Sequence, residues 1–238
     1  MISPMFRLGW AATYTIGMCQ KAMWEKAFGA ADERVRDLTK QWAVGLADRM
    51  QIEVKCYGMD DVDWSQPCVV MANHQSYLDV LALYRALPRP FGIVAKKPLF
   101  SVPFFGGVMR SLGCVPVDRK KRAEALDVVQ GAAAKVRDGS TIAVFPEGTR
   151  SRGDRIGRFK KGPFYLAQMA RVPAVPVGIR GTAALMPRSN SGIRPGVIEV
   201  YAGKAIPPTE STGASGRTEL MARVRSELSR LADLPAAD

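Results

Sequence analysis

The stretch "PCVVMANHQSYLDVLALYRAL", residues 67–87, changes period partway along. Residues 67–72 form a short apolar run of the kind found in strands buried on both faces. Residues 76–87 read as a helix that Pro88 stops. The same alternation recurs downstream. Residues 91–96 and 113–118 are strand-like, and Pro116 marks the second as an edge or irregular strand. A helix covers about residues 122–137, with Ala123, Leu126, Val129, Ala132 and Val136 on one face and Gly139 as its stop. Residues 141–145, 174–179 and 196–203 are further strands, and a helix opens at Pro163. Residues 207–216 read as a loop, and Leu220, Val224, Leu228 and Leu231 mark a last helix. Strands alternating with helices predict an α/β fold with a mostly parallel central sheet flanked by helices.

The chain has 238 residues, enough for one domain with a sizeable core, or a domain with a short appendage. Apolar residues make up 47%, charged residues 24%, and mean hydropathy is −0.05, which describes a folded chain. Lys and Arg total 34 against 22 Asp and Glu, leaving a net charge of +12. That excess favours polyanions: nucleic acid, anionic lipid headgroups or phosphorylated substrates. Cysteines 19, 56, 68 and 114 lack the close spacing of a zinc or redox motif, and the only histidine lies apart from them. Free thiols in a reduced, cytosol-facing compartment are expected, with no metal.

Residues 1–50 form a separate unit ahead of an α/β domain over residues 51–238. Two helices are expected there. Val35, Leu38, Trp42, Leu46 and Met50 recur at spacings of three and four in the second, an amphipathic pattern. The charge-free stretch Leu8–Gln20 is shorter than the ~17 to 25 residues a spanning helix needs. Neither a transmembrane span nor secretion is expected. The pair reads as a membrane-interface motif, with a helical hairpin packed on its own domain as the plainer alternative.

The lone histidine, His74, sits between the strand and the helix of the opening stretch, with Asp79 five positions on. Within one helix, residues five apart diverge by about 140°. If the helix begins at Ser76, His74 stays outside it and folds back over the first turn. Asp79 can then accept from one ring nitrogen and leave the other free to take a proton. Ser76 and Asp79 also spell a capping box, and Asn73 and His74 can simply bond the strand end. There is no G-x-S-x-G elbow, and Cys68 and Cys114 are not adjacent to His74 in sequence. The simplest chemistry is a base that activates a substrate hydroxyl for direct attack on an acyl group.

Basic residues gather after other strands. "FPEGTRSRG", residues 145–153, carries Glu147, Arg150 and Arg152 around Gly148; Arg119 follows an earlier strand, and Lys160, Lys161 and Gly162 precede a helix. Arginine's planar fork suits phosphate, and a helix N-terminus favours an anion.

Taken in order, these blocks resemble the 1-acyl-sn-glycerol-3-phosphate acyltransferase family. "NHQSYLD" matches its N-H-x-x-x-x-D block, "GCVPVDR" the second, "FPEGTRS" the third and "VPAVPVGI" the fourth, over about residues 50–205. "AKKPLFSVPFFG", residues 95–106, resembles the segment between the first two blocks, although Pro98 stands where an acidic residue is common. The resemblance implies His74 as general base for the sn-2 hydroxyl of lysophosphatidic acid, oriented by Asp79. It implies Lys96, or else Lys97, at the oxyanion. Arg119, Glu147 and Arg150 would hold the glycerol phosphate, on a loop shaped by Gly148 and Thr149. It implies acyl-CoA or acyl carrier protein as donor, consumed as co-substrate, with no bound cofactor. The expected partners are a lysophospholipid and an anionic membrane surface, at the cytoplasmic face. Another acceptor, such as a lyso-ornithine lipid, keeps the same chemistry. A basic module binding nucleic acid or anionic lipid without catalysis is the competing class, but no nucleic-acid motif accompanies the charge.

Overall fold

The structure, a computed structural model, describes residues 3–118, 122–151, 154–189, 191–209 and 213–236. Two helices come first, α1 (Pro4–Ala27) and α2 (Asp32–Met50). Ser3 caps α1 by accepting from Phe6 N–H, with Pro4 opening the helix, where a missing N–H costs nothing. Gly29, at φ +92°, makes the reversal into α2, and Arg34 and Glu25 pair across it at 2.6 Å. The α/β part follows as β1 (Ile52–Tyr57), β2 (Val69–Ala72), α3 (Leu78–Ala86) and β3 (Phe91–Lys96). A 3₁₀ turn (Lys97–Ser101) leads into α4 (Phe105–Ser111) and β4 (Val115–Val117). Then come α5 (Arg122–Arg137), β5 (Thr141–Val144), α6 (Gly162–Ala170), β6 (Ala174–Arg180), α7 (Thr182–Leu185), β7 (Gly196–Ala202) and α8 (Gly213–Ala232).

Among the described residues the strands form one sheet in the order β1-β7-β6-β2-β5-β3-β4. Every neighbouring pair is parallel except β6 and β7. The fold is therefore α/β with a mostly parallel sheet, and Pro116 lies in the edge strand β4. The fully buried β2 and β5 occupy the middle, covered on both faces. One face carries α2, α3 and part of α1, with Leu46, Met50, Leu81 and Leu83 packed on Val70, Ala72 and Val177. The other carries α5, α6 and α8, with Val136, Phe164, Val224 and Leu228 on Val69, Met71 and Val144.

Several elements depart from the sequence expectation: the 3₁₀ turn and α7 were not anticipated, and α8 opens at Gly213, inside residues 207–216 read as loop. β1 was not anticipated, although Ile52, Val54 and Cys56 alternate with Glu53 and Lys55 in the period of a half-buried strand; it holds an edge by pairing β7. α4 forms despite Gly106 and Gly107, because α1 packs on it, with Met23 Sδ against Gly107. α3 starts at Leu78 instead of Ser76, and Ser76 Oγ donates to Met186 O at 2.8 Å while accepting Leu78 N–H at 3.3 Å.

Candidate active site

The C-terminal ends of β2, β3 and β5 lie side by side, and this is where open parallel sheets collect functional loops. β2 delivers Asn73 and His74. Asn73 is fully buried and exchanges two hydrogen bonds with Ile179 of β6, Nδ2 to O at 2.9 Å and Ile179 N–H to Oδ1 at 2.7 Å. The residue before His74 thus fastens the end of β2 to its neighbour. Here the plain strand-end reading holds.

His74 Nδ1 lies 2.8 Å from Asp79 Oδ2. The same oxygen accepts Gln75 N–H at 2.7 Å and Ser76 N–H at 2.9 Å. The capping role and the histidine contact therefore coexist on one carboxylate atom. Asp79 is fully buried, while the His74 side chain keeps 15% exposure. A carboxylate oxygen already taking two backbone donors accepts from the ring, so Nδ1 carries the hydrogen and Nε2 of the neutral imidazole has a free lone pair. Phe145 stacks on the imidazole with ring centroids 4.0 Å apart, which fixes the ring plane.

Glu147 follows β5 and reaches under the same loop. Its Oε1 accepts His74 N–H at 2.7 Å and its Oε2 accepts Gly157 N–H at 2.8 Å. Burial pushes its carboxyl above the usual carboxylate range, against the backbone bonds that lower it. Both oxygens therefore face the protein's own backbone. Ser151 closes the cluster, donating N–H at 2.7 Å and Oγ–H at 3.1 Å to His74 O. Gly148, at φ +71°, makes the turn between them, a conformation an L side chain rarely adopts.

Arg150 is half-buried with its guanidinium 4.0 Å over the Tyr77 ring, and Thr149 beside it is exposed. Arg188 donates to Arg150 O, and the Lys160 side chain lies against Gly148. Lys96 ends β3 and is exposed. β3 pairs with β5 over Phe91–Ile93 and with β4 over Val94–Lys96, so β5 lies between β3 and the strand that leads to His74. Arg119 and Arg152 lie outside the described residues.

Phe145, Ser151, Gly157 and Arg188 were missed from the sequence. Phe145 and Ser151 are the first and last residues of the quoted "FPEGTRS" motif but were given no role; Gly157 and Arg188 come from loops without a signal. Cys68 and Cys114 are buried, each just before the start of its strand, and burial raises both thiols. Cys68 is at the end of β2 remote from His74. A cavity of about 690 Å³ between α5, α6 and α8 is bordered by Arg137, Tyr165 and Arg217, and no residue of the His74 cluster lines it. The chemistry follows the polar cluster, not this empty volume. Among the described residues no group of three or more His, Cys, Asp or Glu could hold a metal ion.

The model of the family described as Acyltransferase matches residues 53–180, more than half of the chain. The chain belongs to the acyltransferase family. The matched span of this acyltransferase contains His74, Asp79, Lys96, Glu147 and Arg150. It is 38% identical over 147 residues to a 1-acyl-sn-glycerol-3-phosphate acyltransferase of Chlamydomonas reinhardtii, covering 61% of this chain and 44% of that one. It is 39% identical over 138 residues to the enzyme of the same name in Saccharomyces cerevisiae, covering 57% and 45%. The chain thus spans under half the length of these two relatives. The crystal structure of PlsC from Thermotoga maritima, a 1-acyl-sn-glycerophosphate acyltransferase, superposes with a TM-score of 0.79. That likeness covers 96% of this chain and 95% of that one at 22% identity, which is a likeness of fold.

Proposed function

We propose that the chain transfers a fatty acyl group from an acyl thioester to the sn-2 hydroxyl of 1-acyl-sn-glycerol 3-phosphate, giving phosphatidic acid. The donor is acyl-CoA or acyl carrier protein. The observation that carries this reading is the His74 Nδ1 contact to Asp79 Oδ2 at 2.8 Å, on a carboxylate with no exposure. The names of the relatives support the acceptor.

In this reaction Nε2 of His74 takes the hydroxyl proton as the oxygen attacks the thioester carbonyl. The tetrahedral oxyanion forms within reach of the Lys96 ammonium. The C–S bond then breaks, the new ester remains, and the departing sulfur recovers the proton from Nε2. Asp79 holds the ring and its tautomer. Glu147 acts by positioning: it ties the His74 backbone to Gly157 and leaves the phosphate to cationic groups. Those are Arg150 and Arg119, with Gly148 and Thr149 shaping the loop. The two N-terminal helices rest on the cytoplasmic face of the membrane, which supplies the acceptor.

The test is an acyl-transfer assay on purified protein, crossing both donors with lysophosphatidic acid, a neutral-headgroup lysolipid and a lyso-ornithine lipid. Product is expected chiefly from lysophosphatidic acid. His74→Ala is expected to cut kcat by about 10²-fold or more while circular dichroism stays unchanged. Near-normal turnover in that variant removes the mechanism, and equal rates on the neutral acceptor remove the phosphate assignment.

A further inference from the structure

The segment "KPLFSVPF", residues 97–104, leaves β3 at the same sheet edge as His74, and the mechanism does not use it. Its backbone is firmly held. Val102 N–H donates to Leu99 O at 3.3 Å, Phe105 N–H to Pro103 O at 2.6 Å, and Gly106 N–H to Val102 O at 2.9 Å. Arg110 Nη1 donates to Phe100 O at 3.0 Å, and Pro98 and Pro103 fix two φ angles. Gly106 passes so close to Phe100 O that any side chain there would collide with it.

A segment held this tightly could have turned its apolar side chains inward. Instead Leu99, Val102 and Phe104 are 39%, 44% and 49% exposed. Phe104 sits at φ +60° and ψ −50°, a conformation that is a genuine outlier for a bulky residue. Strain of that kind persists where function uses it. Exposed Lys97 stands at the base of this apolar tip. Apolar side chains beyond a lysine match the layering of an anionic bilayer, with acyl chains below charged headgroups. The loop also runs into α4, which packs against α1 at Met23, beside the exposed Trp24 and Phe28.

We infer that residues 97–104 are a lipid-inserting loop: Leu99, Val102 and Phe104 enter the interface of an anionic bilayer while Lys97 meets its headgroups. This seats the mouth of the His74 site on the membrane, and it rests on the lipid-acceptor reading above. Cys56 is the one exposed cysteine of the four, so Val102→Cys in a Cys56→Ser background takes a nitrobenzoxadiazole label at a defined place. With vesicles of two parts phosphatidylcholine to one part phosphatidylglycerol, the label is expected to shift to the blue and to be quenched by doxyl-labelled acyl chains. Water-like emission from protein that sediments with the vesicles overturns the inference. So does a blue shift produced by a soluble acyl thioester without vesicles, which would make the loop a cover for substrate. The triple variant Leu99→Ser, Val102→Ser, Phe104→Ser is expected to bind the vesicles about tenfold more weakly or worse. It should keep acyl transfer to a water-soluble short-chain lysolipid; unchanged vesicle binding overturns the inference. The label reads depth without catalysis, so absence of acyl transfer in the unsubstituted protein bears on the acyltransferase reading and leaves the loop result standing.

Discussion

At the residue scale, the two carboxylates of the site divide their work differently. Asp79 concentrates three contacts on Oδ2, and its buried Oδ1 finds no partner among the described residues. Glu147 spreads its two oxygens over two chain segments, His74 and Gly157. An amide at position 147 cannot copy that, because its NH₂ would face a backbone N–H whichever way it turned. Glu147→Gln is therefore expected to lose about 1–3 kcal/mol of stability, measured by denaturant unfolding, through a buried donor without a partner. kcat should fall with the acceptor KM little changed, since His74 is loosened and the phosphate contacts are not. The pH dependence has a definite sign. Burial raises the Glu147 carboxyl in the folded state, so its favourable contribution is full below the unfolded value and fades as pH rises through the folded one. The stability advantage of the unsubstituted protein over Glu147→Gln should widen as pH is lowered through the carboxylate range. An advantage that shrinks on acidification would mean that the backbone bonds outweigh burial.

At the element scale, the site depends on β6 holding β2 in place, and α8 holds β6. Gly178 faces α8 so closely that a Cβ there would meet the Leu231 backbone and the Ala232 nitrogen. Backbone atoms cannot swing aside as a flexible side chain can. Gly178→Ala is expected to cost about 1–3 kcal/mol by overpacking, read as a lower unfolding midpoint, with kcat of the folded fraction preserved. No loss of stability would mean that α8 slides freely on the sheet. This contact was not legible in the sequence, where "VPVGI" reads only as a strand. What was legible followed from local chemistry. β2, β5 and the first N-terminal helix announce themselves by apolar runs, the second N-terminal helix and α5 by period, and His74 with Asp79 by spacing. α4 did not, because its glycines oppose a helix locally and only packing on α1 decides it; β1 was overlooked although its apolar and charged residues alternate as in a half-buried strand. The same limit applies to the site. Phe145 and Ser151 lie within a motif, whereas Gly157 and Arg188 are brought in by tertiary folding alone.

At the scale of the whole molecule, α1 links the far side of the sheet to α4. Its N-terminus is anchored where Arg7 donates to Met50 O at 2.8 Å and to Gln51 Oε1 at 2.6 Å, while Ile193 N–H bonds Pro4 O at 3.0 Å. Its last turns lie against α4 through Met23 and Gly107. Between these ends, only a narrow stripe containing Ala11, Cys19 and Ala22 is buried, and Met5, Phe6, Ile16 and Trp24 face solvent. Twenty-four residues rising about 1.5 Å each make a helix about 36 Å long, with no charged residue between Arg7 and Lys21. No described helix is long and apolar enough to cross a membrane. On the proposed reading this face lies along a bilayer, the net charge of +12 draws the molecule to anionic lipid over a distance set by salt, and the apolar face then holds it. The two contributions separate experimentally. Binding to phosphatidylglycerol-containing vesicles should weaken on raising salt but not vanish. Phe6→Glu with Ile16→Glu adds two charges to the exposed face without disturbing the anchors at Arg7 and Met23, so circular dichroism should not change. Vesicle sedimentation by that variant is expected to drop about tenfold or more even at low salt, because burying each side chain is worth about 1.5–3 kcal/mol. If binding survives both charges and disappears with salt alone, the attraction is purely electrostatic and α1 does not enter the interface.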